Sequence, residues 1–223
     1  MSAVWCTAFD LAGQIGVATI RVELAGQMKR KPNPSSTRVK MLDCIAVPNA
    51  EDDEFKGKDA AVRARIHSPL VWDAVSQMFR TILLDSFTKA HGGRDGHLVI
   101  AYEKVVFASS VFWAHFYGGL VATLMQVTNR EFGNLKGRVT LVGVNVSRAK
   151  SMLTGDSGAP KDVVADALEP FLTRMEPRAR KQYESIPEKL RHNSTDALAV
   201  AIAAVQIASE KWDVNDDEVE RIA

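Results

Sequence analysis

The sequence predicts a mixed α/β domain, a single sheet covered by helices on both faces. Three observations carry that prediction. Three strand-like runs crowd the first 47 residues. Two more short apolar runs follow, at 97–105 and 137–144, each after a stretch of helical period. The pattern then closes on an Ala-rich helical segment that can lie close against a sheet. With 223 residues, 46% hydrophobic and 25% charged, the chain has ordinary globular balance and length enough for a sizeable core.

The elements follow in order. Residues 3–9 and 15–24 are apolar, β-branched runs around "DLAGQ", and read as a hairpin on a Gly-containing turn. A basic loop with Pro and Ser leads to "VKMLDCIAV", the third strand, and "PNAEDDEFKGKD" is polar and loop-like. The helix 68–93 has Ser68 as cap and Pro69 in its first turn. Leu70, Ala74, Met78, Phe79, Ile82 and Leu83 recur at the helical period, and Gly92 and Gly93 stop it. "HLVIAYEKV" is a continuous apolar run, as expected of a central strand buried on both faces. A helix over 109–133, a strand over 137–144 and a helix over 159–175 come next. "RARKQYESIPEKLRHN" reads as polar and loop-rich, and the last helix spans 194–208 with Ser194 or Thr195 as cap. No repeat and no linker divide the chain. One domain over 1–208 with an acidic tail over 209–223 is the expected organisation.

Composition excludes some classes. No apolar stretch is long enough to span a bilayer, and no basic segment precedes an apolar one at the N-terminus, so neither membrane insertion nor secretion is expected. Two cysteines, Cys6 and Cys44, sit in strand-like runs and read as reduced and buried in a cytosolic protein. No Cys/His cluster has zinc spacing. The net charge of +1 gives no global basic signal, but its distribution is uneven. "MKRKPNPSSTRVK" holds Lys29, Arg30, Lys31, Arg38 and Lys40 with no acid, and the tail "EKWDVNDDEVERIA" is strongly acidic. Either segment alone is most simply solvated; together they can conceal a basic surface.

Three carboxylates stand out by position. Asp10 ends the first apolar run, Glu103 ends "LVIAYE", and Asp196 falls in the first turn of the last helix. Each has an ordinary explanation: a turn residue bonded to its own backbone, half of an ion pair, a favourable charge at a helix N-terminus. Together, with the first and fourth strands adjacent, they can converge. Clustered carboxylates repel and desolvate one another, and Mg²⁺ relieves both. Two such ions about 4 Å apart suit attack of water on a phosphodiester.

On these residues the chain resembles the RuvC-type Holliday junction resolvases of the RNase H-like nuclease superfamily. "FDLAGQIGVATI" looks like that family's first catalytic strand and turn, "VIAYEKVVF" its Glu-bearing strand, and "DALAVAIAA" its final helix. "RAKSMLTGDSGAPKDVVADALEPFL" resembles its lysine, Gly-containing loop, second lysine and helix. The resemblance implies an RNase H-like mixed five-stranded sheet flanked by helices. It also implies an Mg²⁺-dependent endodeoxyribonuclease resolving four-way or branched DNA in recombination and repair, with Mn²⁺ as substitute and two ions per site. Asp10, Glu103 and Asp196 match catalytic, metal-binding carboxylates. Lys150 and Lys161 match DNA-contacting lysines, one of them close to the scissile phosphate, and Lys150 is expected to join the catalytic set. Paired nicks imply a homodimer, for which the helix from Ser109, with Gly118, Gly119 and Ala122, is a candidate interface. The setting implied is the cytoplasm of a bacterial or phage-infected cell.

The departures are informative. The family's usual acid or histidine three residues before the last Asp is Asn193 here, which can lend a neutral oxygen to the metal, and the adjacent His192 is an alternative ligand, a proton donor or simply a surface residue. Asn193 and Asp196 stand three apart on a helix, a spacing that can put both on one face. "DLAG" replaces Asp-Pro-Gly, and the "RKPNPSS" loop is long; both fit a divergent, phage-type branch. Phe107, in the loop after Glu103, is placed either in the core or against an unpaired base. Lys29, Arg30 and Lys31 are candidate DNA contacts. The rival readings are an RNase H-like nuclease for another nucleic acid, such as an RNA–DNA hybrid, a non-catalytic DNA-binding module, and an actin-like ATPase. The last is disfavoured because no second Gly-rich phosphate turn occurs.

Overall fold

In this computed structural model the described residues are 3–12, 14–23, 32–47, 69–91, 96–105, 111–135 and 138–220. Phe107, the trio Lys29, Arg30 and Lys31, and the helix cap Ser68 lie outside them. Five strands form one sheet: β1 (Ala3–Asp10), β2 (Gln14–Glu23), β3 (Thr37–Ala46), β4 (His97–Lys104) and β5 (Val139–Asn145). Their order is β3-β2-β1-β4-β5. β2 is antiparallel to both neighbours, and β1, β4 and β5 run parallel. The expected hairpin and the adjacency of first and fourth strands are both present.

The helices are α1 (Pro69–His91), α2 (Val111–Phe132), α3 (Val146–Thr154), α4 (Lys161–Leu172), α5 (Pro177–Ser185) and α6 (Arg191–Glu220). α1 and α2 cover one face of the sheet. α1 turns Val71, Val75, Phe79, Leu83 and Ala90 inward, with Ala74, Met78 and Ile82 flanking the stripe half-buried. The Phe9 and Phe79 rings meet edge-on at 5.1 Å. On this face Thr7 Oγ1 donates to Ser86 Oγ at 2.8 Å, which satisfies two buried hydroxyls. Gly119 of α2 belongs to this packing, since a Cβ there would sit 2.5 Å from the Trp72 ring.

α6 covers the other face. Ala8, Ala18 and Ala101 of the sheet meet Ala197, Ala201 and Ala204 of the helix in one core cluster. Small side chains on both partners let the helix lie low across β1, β2 and β4. Among the described residues no helix is long and apolar enough to cross a membrane. Cys6 is buried and Cys44 half-buried, and neither is in a disulfide.

Two expectations need correction, and one element is added: the chain between the fifth strand and the Gly-containing turn, given no element by the sequence, is helical over Val146–Thr154 and directly follows β5. "RARKQYESIPEKLRHN" is ordered: it forms α5, a 3₁₀ turn over Glu188–Leu190 and the start of α6. Ser194 and Thr195 are not caps. They lie inside α6, where their hydroxyls donate back to the carbonyls of Arg191 and His192 at 2.7 and 2.9 Å. α6 therefore begins at Arg191, Asp196 sits in its second turn rather than its first, and helical backbone continues through Glu220 into the acidic segment.

Candidate active site

Register builds the first half of the site. Phe9 of β1 pairs with Tyr102 of β4, so Asp10 and Glu103 stand side by side one residue further on. Each points to the α6 face, because Cys6 and Ala8, and Val99 and Ala101, share that face by alternation. Asp10 also pairs with Gly16 of β2. A Cβ on Gly16 would come within 1.9 Å of the Asn193 carbonyl oxygen, a backbone atom that cannot swing away. The missing side chain is what lets the start of α6 rest on β2 beside Asp10. Asp196, one turn on, is thereby carried to the two strand-end carboxylates.

Adjacent strands lie about 4.8 Å apart. Two full negative charges at that spacing repel by about 3 kcal/mol at an effective dielectric constant of about 20. A proton held on Asp10, beside the Glu103 carboxylate, relieves this repulsion. Burial, then the charges of Glu103 and Asp196, push the Asp10 carboxyl up from 3.8 to about 8. Burial, then Asp196, also raise Glu103. Burial raises Asp196, while Lys161, His192 and Lys150 pull it back down.

The two lysines differ. Lys161 opens α4 and lowers all three carboxylates. Lys150, in α3, acts on Asp196, and its Nζ donates to the Ala159 carbonyl at 2.7 Å. Between them α3 ends at Gly155, in the left-handed region at φ 85°, and Asp156 Oδ1 accepts from Gly158 N at 2.8 Å. Lys150 thus ties its helix to the turn that launches Lys161. Glu103, Asp196, Lys150 and Lys161 border a cavity of about 230 Å³ whose apolar lining includes Val146 and Val164.

Other candidates fall nearby. His192 is exposed and lies within the field of Asp196. Asn193 is buried, and its amide donates to Cys44 Sγ on β3 at 3.7 Å. Two positions carry more than their sequence context suggests. One is Gly16. The other is Tyr117 of α2, whose hydroxyl donates to the Glu103 carbonyl at 2.5 Å and accepts from Val105 N at 3.2 Å. It latches the end of β4 from the opposite face of the sheet. In the sequence Tyr117 is one aromatic in an aromatic-rich helix, with nothing local to mark it.

As they stand, no three His, Cys, Asp or Glu side chains among the described residues are gathered closely enough to hold a metal ion together. The donor set nevertheless suits a hard cation. It is all oxygen, and burial and mutual repulsion disfavour its charged form in the absence of positive charge.

The sheet order and the α6 cover are those of an RNase H-like α/β fold. Solved structures that share it include RuvC and a mitochondrial Holliday junction resolvase. RuvC of Thermus thermophilus superposes with a TM-score of 0.55 at 17% identity, over 94% of this chain and 96% of that one. The same protein in complex with Holliday junction substrate gives 0.55 at 15% identity, with the same coverage. The yeast mitochondrial Holliday junction resolvase Ydc2 gives 0.59 at 11% identity, over 98% of this chain and 84% of that one. At such identities the likeness establishes the fold. No protein-family model and no curated protein matches the sequence.

Proposed function

We propose that this chain is a divalent-cation-dependent endonuclease that hydrolyses phosphodiesters in branched DNA, four-way junctions foremost. The observation that carries the reading is the gathering of Asp10, Glu103 and Asp196 at one end of the sheet with their carboxyls raised. Such a cluster costs stability in a metal-free fold, and a bound hard cation reverses that cost. Asp10, Glu103 and Asp196 would hold Mg²⁺, or Mn²⁺ as substitute, with two ions as the full complement. When bound, the ions activate water and stabilise charge on the leaving oxygen. Asn193 joins this set only by turning its side chain from Cys44. His192 stands beside Asp196 as a proton donor or outer ligand.

The chain's own cations do the remaining work. Lys161 is placed to offset phosphate charge that grows in the transition state. Lys150 contributes charge beside Asp196 and holds the Lys161 turn in place. The apolar cavity lining lowers the local dielectric and strengthens these interactions. That a protein of the same fold takes Holliday junction as substrate supports the same substrate class here. Two matched nicks in a symmetric junction call for a two-fold homodimer. Gly118, with nothing within 4 Å of where its Cβ would be, and exposed Ala122 keep one face of α2 low enough for close packing. Such an enzyme serves recombination and repair in the cytoplasm of a bacterial or phage-infected cell.

The test is a cleavage assay on a four-way junction, a linear duplex and an RNA–DNA hybrid, with Mg²⁺ and with chelator. The reading expects paired nicks in the junction with Mg²⁺ and none with chelator. Cleavage of the hybrid alone, or undiminished cleavage in chelator, contradicts it.

A further inference from the structure

We propose that the outer face of α5, with Arg174 before it and Lys189 after it, is a binding surface for the phosphate backbone of a duplex DNA arm leading away from the carboxylate centre. The proposal rests on the nuclease reading and adds where the DNA lies.

The chain as a whole is balanced, with 28 basic and 27 acidic residues, yet 174–192 holds six basic residues and three acidic ones. α5 gives this excess a direction. Ala179 is buried, and Gln182 and Tyr183 are half-buried toward the sheet, where Gln182 Nε2 donates to Asp43 Oδ2 at 2.6 Å. Arg178, Arg180 and Lys181 are exposed on the other side. Several cations elsewhere meet carboxylates: Arg80 with Glu131, Lys89 with Asp85, Arg148 with Glu210. Among the described residues Arg174, Arg178, Lys181 and Lys189 form no ion pair. Of the three acids, Glu176 is taken up by Lys40, and Glu184 and Glu188 remain exposed. Arg178 and Lys181 are three apart on one helix, a like-charge spacing that weakens an isolated helix.

The surface also points the right way. The backbone of Met175 and Glu176 joins β3 at Val39, and Gln182 reaches Asp43, so α5 runs along β3 toward its C-terminal end. Register carries that level across the sheet: Asp43 pairs with Val17, and Val17 with Phe9, the residue before Asp10. Arg191 then locks the corner, donating to the carbonyls of Ile186 and Glu184 at 3.1 and 3.0 Å with its guanidinium over the Tyr183 ring. From there α6 leads through His192 to Asp196. Cations without an ion-pair partner among the described residues thus lead toward the proposed cleavage centre. Nine helical residues extend about 14 Å, the length of about four base pairs. Duplex phosphate is the polyanion that continues from a scissile bond in this geometry, which selects it over an acidic protein.

The experiment measures affinity for a four-way junction and a linear duplex in chelator, across about 50 to 200 mM salt. Removing one cation from a phosphate should flatten the slope of log affinity against log salt by about one. The Arg178→Ala, Lys181→Ala double variant should flatten it by about two on both DNAs, and the Arg178→Glu, Lys181→Glu variant should weaken binding further. Arg138→Ala, an exposed cation before β5 at the other end of the strands, should leave the slope unchanged. If wild type binds and the double variant keeps the full slope, the proposal is overturned and the nuclease reading stands. If wild type binds neither DNA, both fall together.

Discussion

The two faces of β1 and β4 are packed by different rules. Toward α1 and α2 the strands present Trp5, Phe9, Leu98, Ile100 and Tyr102, large side chains that hold the helices away from the sheet. Toward α6 they present Cys6, Ala8, Val99 and Ala101, and the helix answers with alanines. The first face can absorb modest changes of shape, because aromatic and aliphatic side chains can repack around them. The second cannot, because it is helix backbone that rests on the strands. The close face is also the one that ends in Asp10 and Glu103. Alanine packing there sets the height at which Asp196 meets them, so stability and site geometry are joined on this face and separate on the other.

That contrast can be broken most sharply at the carboxylates. Asp10→Asn should lower junction cleavage by on the order of 10³-fold, since it removes a charge from the cation site. It should leave junction binding in chelator intact. It should also stabilise the metal-free fold at alkaline pH. The Asp10 carboxyl titrates near 8 in the folded chain against 3.8 ordinarily, so between those values the folded state holds a proton that the unfolded chain has released. Wild-type stability in chelator therefore falls as pH rises from about 4 to about 8. At pH 8 the variant should melt about 3–6 °C higher than wild type, a difference that shrinks at pH 5. Melting curves at the two pH values check both signs.

Packing is the next lever. Gly16→Ala puts a Cβ 1.9 Å from the Asn193 carbonyl and must push α6 off β2. A displacement near 1 Å should cost about 10²-fold in cleavage, together with about 1–3 kcal/mol of stability. Phe79→Leu, against Phe9 on the other face, should cost a similar 1–3 kcal/mol, roughly, while leaving cleavage near wild type below the melting temperature. Equal loss of activity in the two variants would dissolve the distinction between the faces.

Smaller effects separate the helpers. Lys161→Ala should lower cleavage by about 10–100-fold, because Lys161 acts on all three carboxylates. Lys150→Ala should lower it less, and should also loosen the 155–160 turn, readable as faster amide exchange there. Tyr117→Phe removes one hydroxyl from the end of β4. Without its bonds to Glu103 and Val105 the rate should fall about 3–10-fold. The Mg²⁺ concentration for half-maximal cleavage should rise, a shift that a general loss of stability would not produce.

Much of this architecture is legible in the sequence, and the failures have physical causes. The five strands and the long helices announce themselves by apolar runs and helical period. Asp10 and Glu103 are visible because a charge closing an apolar run is conspicuous. α5 reads as loop because it covers only a sheet edge, and Ala179 and Tyr183 suffice for that task amid charged neighbours. Ser194 and Thr195 look like caps in any window, yet their hydroxyls bond backward inside a helix already begun at Arg191. Asn193 shares a helix with Asp196 at a favourable spacing, but its amide is engaged by Cys44 from a strand 149 residues earlier. Gly16 and Tyr117 acquire meaning only from their tertiary partners, the Asn193 carbonyl and the end of β4.

The central claim is that Asp10, Glu103 and Asp196, from two strands and one helix, form a single cation centre. Calorimetric titration of Mn²⁺ into metal-free protein near pH 7 tests it most directly, run in two buffers of different ionisation enthalpy. Binding should expel the proton held on Asp10 beside Glu103, so the apparent enthalpy should depend on the buffer, and both binding and proton release should be lost in Asp10→Asn and weakened in Asp196→Asn. Equal Mn²⁺ binding by wild type and both variants, with no proton released, would contradict it.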